Sequence, residues 1–91
     1  MSNLQELPNI GKEMERQLNA IGISTYDDLV NCGSREAWLK IKAIDSSACI
    51  NRLMGLEGAI QGIRWHNLSE VDKQSLKDFY YKNKERDDTN V

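Results

Sequence analysis

Apolar residues recur along this chain every three or four positions and nowhere alternate strictly with polar ones, a pattern that predicts helices throughout and no strands. Leu4 and Leu7 point inward from a short first turn over 2–6, which Pro8 closes because the residue before a proline is pushed out of the helical region. Beyond Gly11, Met14, Leu18 and Ile21 fall on one helical face, while Lys12, Glu13, Glu15, Arg16 and Asn19 cover the others. Gly22 supplies the stop. Thr25 with Asp28 three positions on makes a capping box for a helix ending by Cys32 or Gly33, with Asp where Glu or Gln is commoner. Ser34 is expected to cap a fourth helix that turns Ala37, Trp38, Ile41 and Ile44 to the core and leaves Arg35, Lys40 and Lys42 in water.

Asp45, Ser46 and Ser47 then open a helix expected over 46–63, apolar or small nearly all round and therefore the buried centre of the molecule. Gly55, Gly58, Ala59 and Gly62 share a stripe on it, where missing side chains are expected to admit another helix. Each interior glycine costs about 0.8 to 1 kcal/mol relative to Ala, so a close contact must offset the loss. Trp65 to Leu68 reads as a connection, and Ser69 with Asp72 caps a last helix bearing Leu76, Phe79 and Tyr80 inward. The expected product is all-α: one domain of five to six helices over residues 1–82, with a polar tail at 83–91 that frays into disorder.

Composition narrows the function. The 91 residues carry 12 Lys plus Arg against 14 Asp plus Glu, a net charge of −2 that offers no strong field to nucleic acid or anionic lipid. A chain this short builds one modest core and no deep enclosed active site. Its start lacks the basic and apolar regions of a signal peptide and no stretch is apolar enough to span a bilayer, which points to the cytoplasm. Cys32 and Cys49 form no CxxC pair and read as reduced, buried thiols. Together with His66, the single histidine, they have no short-spaced pair that would mark a metal site, and no cofactor is expected. Trp38, Trp65, Phe79 and Tyr80 are core by spacing, Tyr26 and Tyr81 partly exposed, and none interleaves with basic residues as a stacking platform would.

The most informative segment is Leu4 to Ile23, with Pro8-Asn9-Ile10-Gly11-Lys12 ahead of an amphipathic helix. It resembles a helix-hairpin-helix unit, in which glycine lets the backbone approach a phosphate and the N–H groups opening the second helix bind the anion. The candidate contact residues for nucleic acid or a partner are accordingly Asn9, Gly11, Lys12 and Arg16, the last one turn below Lys12. The plainer reading is that the hairpin docks helices or a protein, because Glu6, Glu13 and Glu15 surround Lys12 and repel a polyanion.

A broader resemblance runs through Leu-Pro-Asn-Ile-Gly-Lys at 7–12, Gly-Ile-Ser-Thr-Tyr-Asp-Asp-Leu at 22–29, Leu-Glu-Gly-Ala-Ile-Gln-Gly at 56–62 and the segment 65–68. In order and spacing over about 3–80, these resemble the C-terminal domain of the TfoX/Sxy family, known for regulators of bacterial competence for DNA uptake. Members of full length carry a further N-terminal α/β domain, and this chain starts at the helical one. The resemblance thus implies a standalone helical module akin to a transcription co-regulator's tail. The hairpin is also similar to the Pro-Asn-x-Gly-Lys turn of the C-terminal domain of the RNA polymerase α subunit, which meets both DNA and proteins.

Glu57 is the one charge in the middle of the most apolar helix, and a buried carboxylate needs partners. N–H groups at a neighbouring helix or hairpin start, or the N–H of Trp65, are the expected donors, which makes Glu57, Gly58 and Trp65 structural candidates. The alternative is a perturbed acid in a small pocket, but no second carboxylate or base stands at a spacing that supports catalysis. The expected function is non-enzymatic: a regulatory or adaptor module for a protein partner, such as the transcription apparatus. Weak, sequence-independent DNA binding through Pro8 to Lys12 is the alternative.

Overall fold

A computed structural model describes the backbone of residues 4–89 and the side chains of residues 4–83. A single 3-10 turn, Leu4–Glu6, precedes α1 (Lys12–Ala20), α2 (Tyr26–Cys32), α3 (Ser34–Ile44) and α4 (Ile50–Gln61); a second, Trp65–Asn67, leads into α5 (Glu70–Thr89). No strand occurs among the described residues. The chain is an all-α single domain, as the periodicity predicts.

The expected stripes are the ones that pack. Leu18, Leu29, Trp38, Ile41, Leu53, Leu56 and Leu76 are buried to the last few square ångströms, with Leu4 of the first turn among them. α4 is the centre, packed on α3, α5 and the Trp65–Asn67 turn. Trp38 lies wholly inside, its indole N–H donating to the Cys49 carbonyl at 3.2 Å and its ring meeting the edge of Phe79 at 6.1 Å between centroids. That pairing satisfies the polar handle of a large buried aromatic.

The helix ends follow local chemistry, with instructive exceptions. Thr25 caps α2, its hydroxyl accepting from the Asp28 N–H at 3.1 Å, while the Asp28 carboxylate accepts from the Ser24 N–H at 3.2 Å. Ser34 is not the cap of α3. Gly33, at φ 87°, ends α2 and starts α3 in one residue, and this left-handed backbone is open to glycine at little cost. Ser34 is therefore the first helical residue, turned inward and buried.

Ile44 is 57% exposed rather than buried, while Ile41, one turn earlier, is the last residue of α3 to reach the core. The central helix starts at Ile50, not near Ser46. Asp45 spends its carboxylate on the Ser47 N–H at 3.0 Å, a local turn that competes with helix, and Cys49 becomes the flanking residue. That position also exposes Cys49 and leaves Cys32 half-buried, so the two free thiols are not the interior pair expected. At the other end, Gly62 lies outside the stripe: at φ 77° it closes α4 in a Schellman turn, with the Ile63 N–H donating to the Gly58 carbonyl at 2.9 Å. Asn83, buried on α5, donates its amide to the Phe79 carbonyl at 2.8 Å. The tail expected to fray from 83 on has helical backbone to Thr89, within α5, and its side chains beyond 83 lie outside the described residues.

Candidate functional site: the Pro8 to Lys12 hairpin and its seat on α4

The hairpin is built around Asn9. Its backbone sits at φ 70°, the left-handed region that asparagine tolerates better than other residues with a Cβ. Its side chain turns inward, donating to the carbonyls of Ile63 at 3.0 Å and Gly55 at 3.4 Å and accepting from the Trp65 N–H at 3.3 Å. The expected small-residue stripe of α4 thus receives a loop, not a helix. A Cβ on Gly58 would stand 2.6 Å from the Asn9 amide nitrogen, 2.8 Å from the Ile63 carbonyl oxygen and 3.2 Å from the Trp65 Cα. At Gly55 the nearest atom would be the Asn9 Cβ at 3.4 Å, an ordinary contact. Gly58 and Trp65 both meet Asn9, the residue that joins them.

Gly11 flanks the start of α1 with extended backbone, and no side chain caps the first turn of that helix. Lys12, Glu13, Glu15, Arg16 and Asn19 line a shallow depression of about 440 Å³ on the outer face of α1. The Arg16 guanidinium is paired with the Glu13 carboxylate, which it holds below the usual carboxylate range. Glu15 accepts from the Gln5 amide at 2.6 Å. Of the four candidate contact residues, Lys12 and Arg16 therefore share one surface, Gly11 flanks the start of their helix, and the Asn9 side chain turns to α4 instead.

Glu57 meets neither donor expected of it. Its Oε1 accepts from the Ser34 hydroxyl at 2.6 Å and its Oε2 from the Gln61 amide at 2.7 Å. Gln61 also donates to Asp72 at 3.0 Å, and the Ser69 hydroxyl accepts from the Asp72 N–H at 3.0 Å. One chain of hydrogen bonds thereby joins α3, α4 and α5, and the indispensable partner is the serine that sequence reasoning placed at a helix cap.

A second cluster escapes the sequence. Buried Gln17 donates to Asp45 at 2.7 Å, and Arg52 donates to both Gln17 at 3.0 Å and Asp45 at 2.9 Å. The Ser47 hydroxyl first, then Arg52 and Gln17, hold the Asp45 carboxyl far below its usual range. The available signal was Gln17 itself, a polar residue on the inward face between Met14 and Ile21. His66 is exposed and stacks on Trp65 at 4.1 Å between centroids. Among the described residues, Cys32, Cys49 and His66 do not gather with carboxylates into a metal-ligand group.

A five-helix domain whose N-terminal hairpin is plugged into the glycine face of a central helix defines a small class of helical modules. The model of the TfoX C-terminal domain matches residues 1–80, and the chain belongs to that family. It is 32% identical over 76 residues to Protein Sxy of Escherichia coli, a match that covers 84% of this chain and 36% of Sxy, so the chain spans about a third of that relative's length. Two crystal structures of Listeria monocytogenes proteins, one described as uncharacterized and one as of unknown function, are also similar. The first, in a triclinic form, shares 51% identity at a TM-score of 0.89 and covers 91% of this chain and 94% of that one. The second, tetragonal, shares 52% identity at a TM-score of 0.86 and covers 88% and 98%. No helix among the described residues is long and apolar enough to cross a membrane.

Proposed function

We propose that this chain is a non-enzymatic regulatory adaptor that docks a protein partner, in the setting of transcription or competence regulation that its TfoX/Sxy kinship suggests. The observation that carries the reading is the neutralised hairpin. Asn9 is consumed by α4, Arg16 is paired with Glu13, and Glu15 shares the outer face, so Lys12 is left as the basic side chain at the start of α1. Mixed charge of this kind suits a protein surface better than a continuous line of phosphates.

A second reading, weak DNA contact, is favoured by the first turn of α1, whose N–H groups receive no side-chain cap and suit an anion. The two are separated by titrating duplex DNA at low and at physiological salt. A hairpin that offers Lys12 alone neutralises about one charge and gives a slope of log K against log salt of about −1, with an affinity no better than about 10⁻⁴ to 10⁻⁶ M. Lys12→Glu removes that contact without unfolding the protein, since a first-turn Glu suits the helix dipole. Absence of any DNA complex at low salt leaves the adaptor reading standing, whereas tight binding at about 200 mM salt overturns it.

A further inference from the structure

The fold leaves an apolar face of α2 uncovered. Tyr26 and Val30, one helical turn apart, are each 43% exposed. The Tyr26 ring is held in place, its hydroxyl donating to the Ile60 carbonyl of α4. Glu57, Ile60 and Gln61 share one face of α4, turned away from Gly55 and Gly58 where Asn9 sits. Past the other end of α2, the Ser34 hydroxyl donates to Glu57 at 2.6 Å, so Val30 falls between two points at which the chain is fastened to that face. On the far side stands α5. The amide nitrogen of exposed Gln61 donates to Glu57 at 2.7 Å and to Asp72 at 3.0 Å, so two half-buried carboxylates converge on one nitrogen. No ion pair among the described residues engages Asp27, Glu57 or Asp72. Arg35 and Lys73, their neighbours in sequence, are spent elsewhere, on the Ser75 hydroxyl at 2.7 Å and the His66 carbonyl at 2.9 Å.

We propose that Tyr26 and Val30 of α2, beside the Glu57 and Asp72 carboxylates, dock a basic amphipathic segment of the partner protein, an inference that rests on the adaptor reading. Apolar side chains of that segment cover Tyr26 and Val30, which large exposed side chains on one helix face invite. A Lys or Arg of the same segment takes the place now filled by the Gln61 amide. Two carboxylate oxygens at hydrogen-bond distance from a single nitrogen are the surroundings that an ammonium or guanidinium requires, and a charged donor there bonds more strongly than the neutral amide. Gln61 is exposed and free to swing out. Charge also decides against the rival occupants, since an acidic peptide or a duplex is repelled by the same two carboxylates and by exposed Asp27 at the start of α2.

The test titrates a lysine–leucine amphipathic peptide into the full chain and follows the backbone amide resonances. Shifts are expected to concentrate in residues 26–34, 57–61 and 70–75. Val30→Ser and Asp72→Asn should each weaken binding about tenfold, one through lost apolar contact and the other through lost charge, with unchanged circular dichroism. Gln61→Lys should abolish it, since an ammonium carried by α4 itself fills the place between the carboxylates. Glu6→Gln, an exposed charge on the first turn, should leave it intact. Equal weakening in Glu6→Gln, or unchanged binding in Val30→Ser, overturns the proposal, because the attraction is then diffuse. A dimer in solution that Val30→Ser dissolves also overturns it, because a second copy then covers the face. No binding of the peptide overturns it and leaves the adaptor reading standing with its docking surface elsewhere. That reading fails by a separate measurement, tight binding of duplex DNA at about 200 mM salt, and the proposal falls with it.

Discussion

Asn9 is the residue on which hairpin and core both depend. Asn9→Ala strips the partners from the Ile63 carbonyl and the Trp65 N–H, for about 1 to 3 kcal/mol, and places a plain Cβ in left-handed backbone, for about 1 to 2 kcal/mol more. Asn9→Gly removes the second cost only. Denaturant midpoints are therefore expected in the order wild type, Gly, Ala, and coincident midpoints for Gly and Ala would show that backbone conformation contributes nothing. Gly58→Ala gains about 1 kcal/mol of helix propensity but drives a methyl against the Ile63 carbonyl and the Asn9 amide, so it is expected to be net destabilising by about 1 to 3 kcal/mol. Gly55→Ala, with ordinary contacts, serves as its mild counterpart in the same unfolding measurement.

The elements divide by what ends them. α2 is bounded by its own residues: Thr25→Ala removes a cap bond that the structure contains and is expected to cost about 0.5 to 2 kcal/mol in thermal or urea unfolding. α3 is bounded by tertiary demand. Its first helical residue, Ser34, points at Glu57, so Glu57→Ala leaves a buried hydroxyl without its acceptor and is expected to cost about 1 to 3 kcal/mol. An unchanged midpoint would mean that the carboxylate serves something other than the fold. The start of α4 combines both causes: one Asp45 oxygen is taken by the local Ser47 N–H and hydroxyl, the other by Arg52 and Gln17.

Across the whole molecule, the Gln17–Asp45–Arg52 cluster ties α1 to the loop between α3 and α4 and makes stability depend on pH. The native Asp45 carboxyl titrates far below the unfolded value of about 3.9, so the folded state binds its proton less readily than the unfolded one. Its contribution is complete above the unfolded value and drains away as pH falls through the native one. Asp28, lowered chiefly by the Ser24 N–H, acts in the same direction. Urea midpoints measured near neutral pH and near pH 3 should therefore fall further for wild type than for Asp45→Asn, and parallel falls would exclude the cluster as a source of acid sensitivity.

Periodicity and turn chemistry determined the class, the number and order of the helices, the core stripe of each and the capping box of α2, because those depend on residues within one or two turns of each other. The turn ahead of α1 was legible at Pro8, which closes the first turn, and at Asn9, which tolerates the left-handed backbone found there. Which way its side chains face was not. Asn9, read as a contact residue, is engaged by carbonyls and an N–H from residues 46 to 56 positions away. The glycines of α4 announced a close approach without naming the visitor, and Gln17 and Ser34 revealed polar partners only once distant elements met. A hydrogen bond between remote side chains leaves no periodic trace in the chain, so only the tertiary structure decides it.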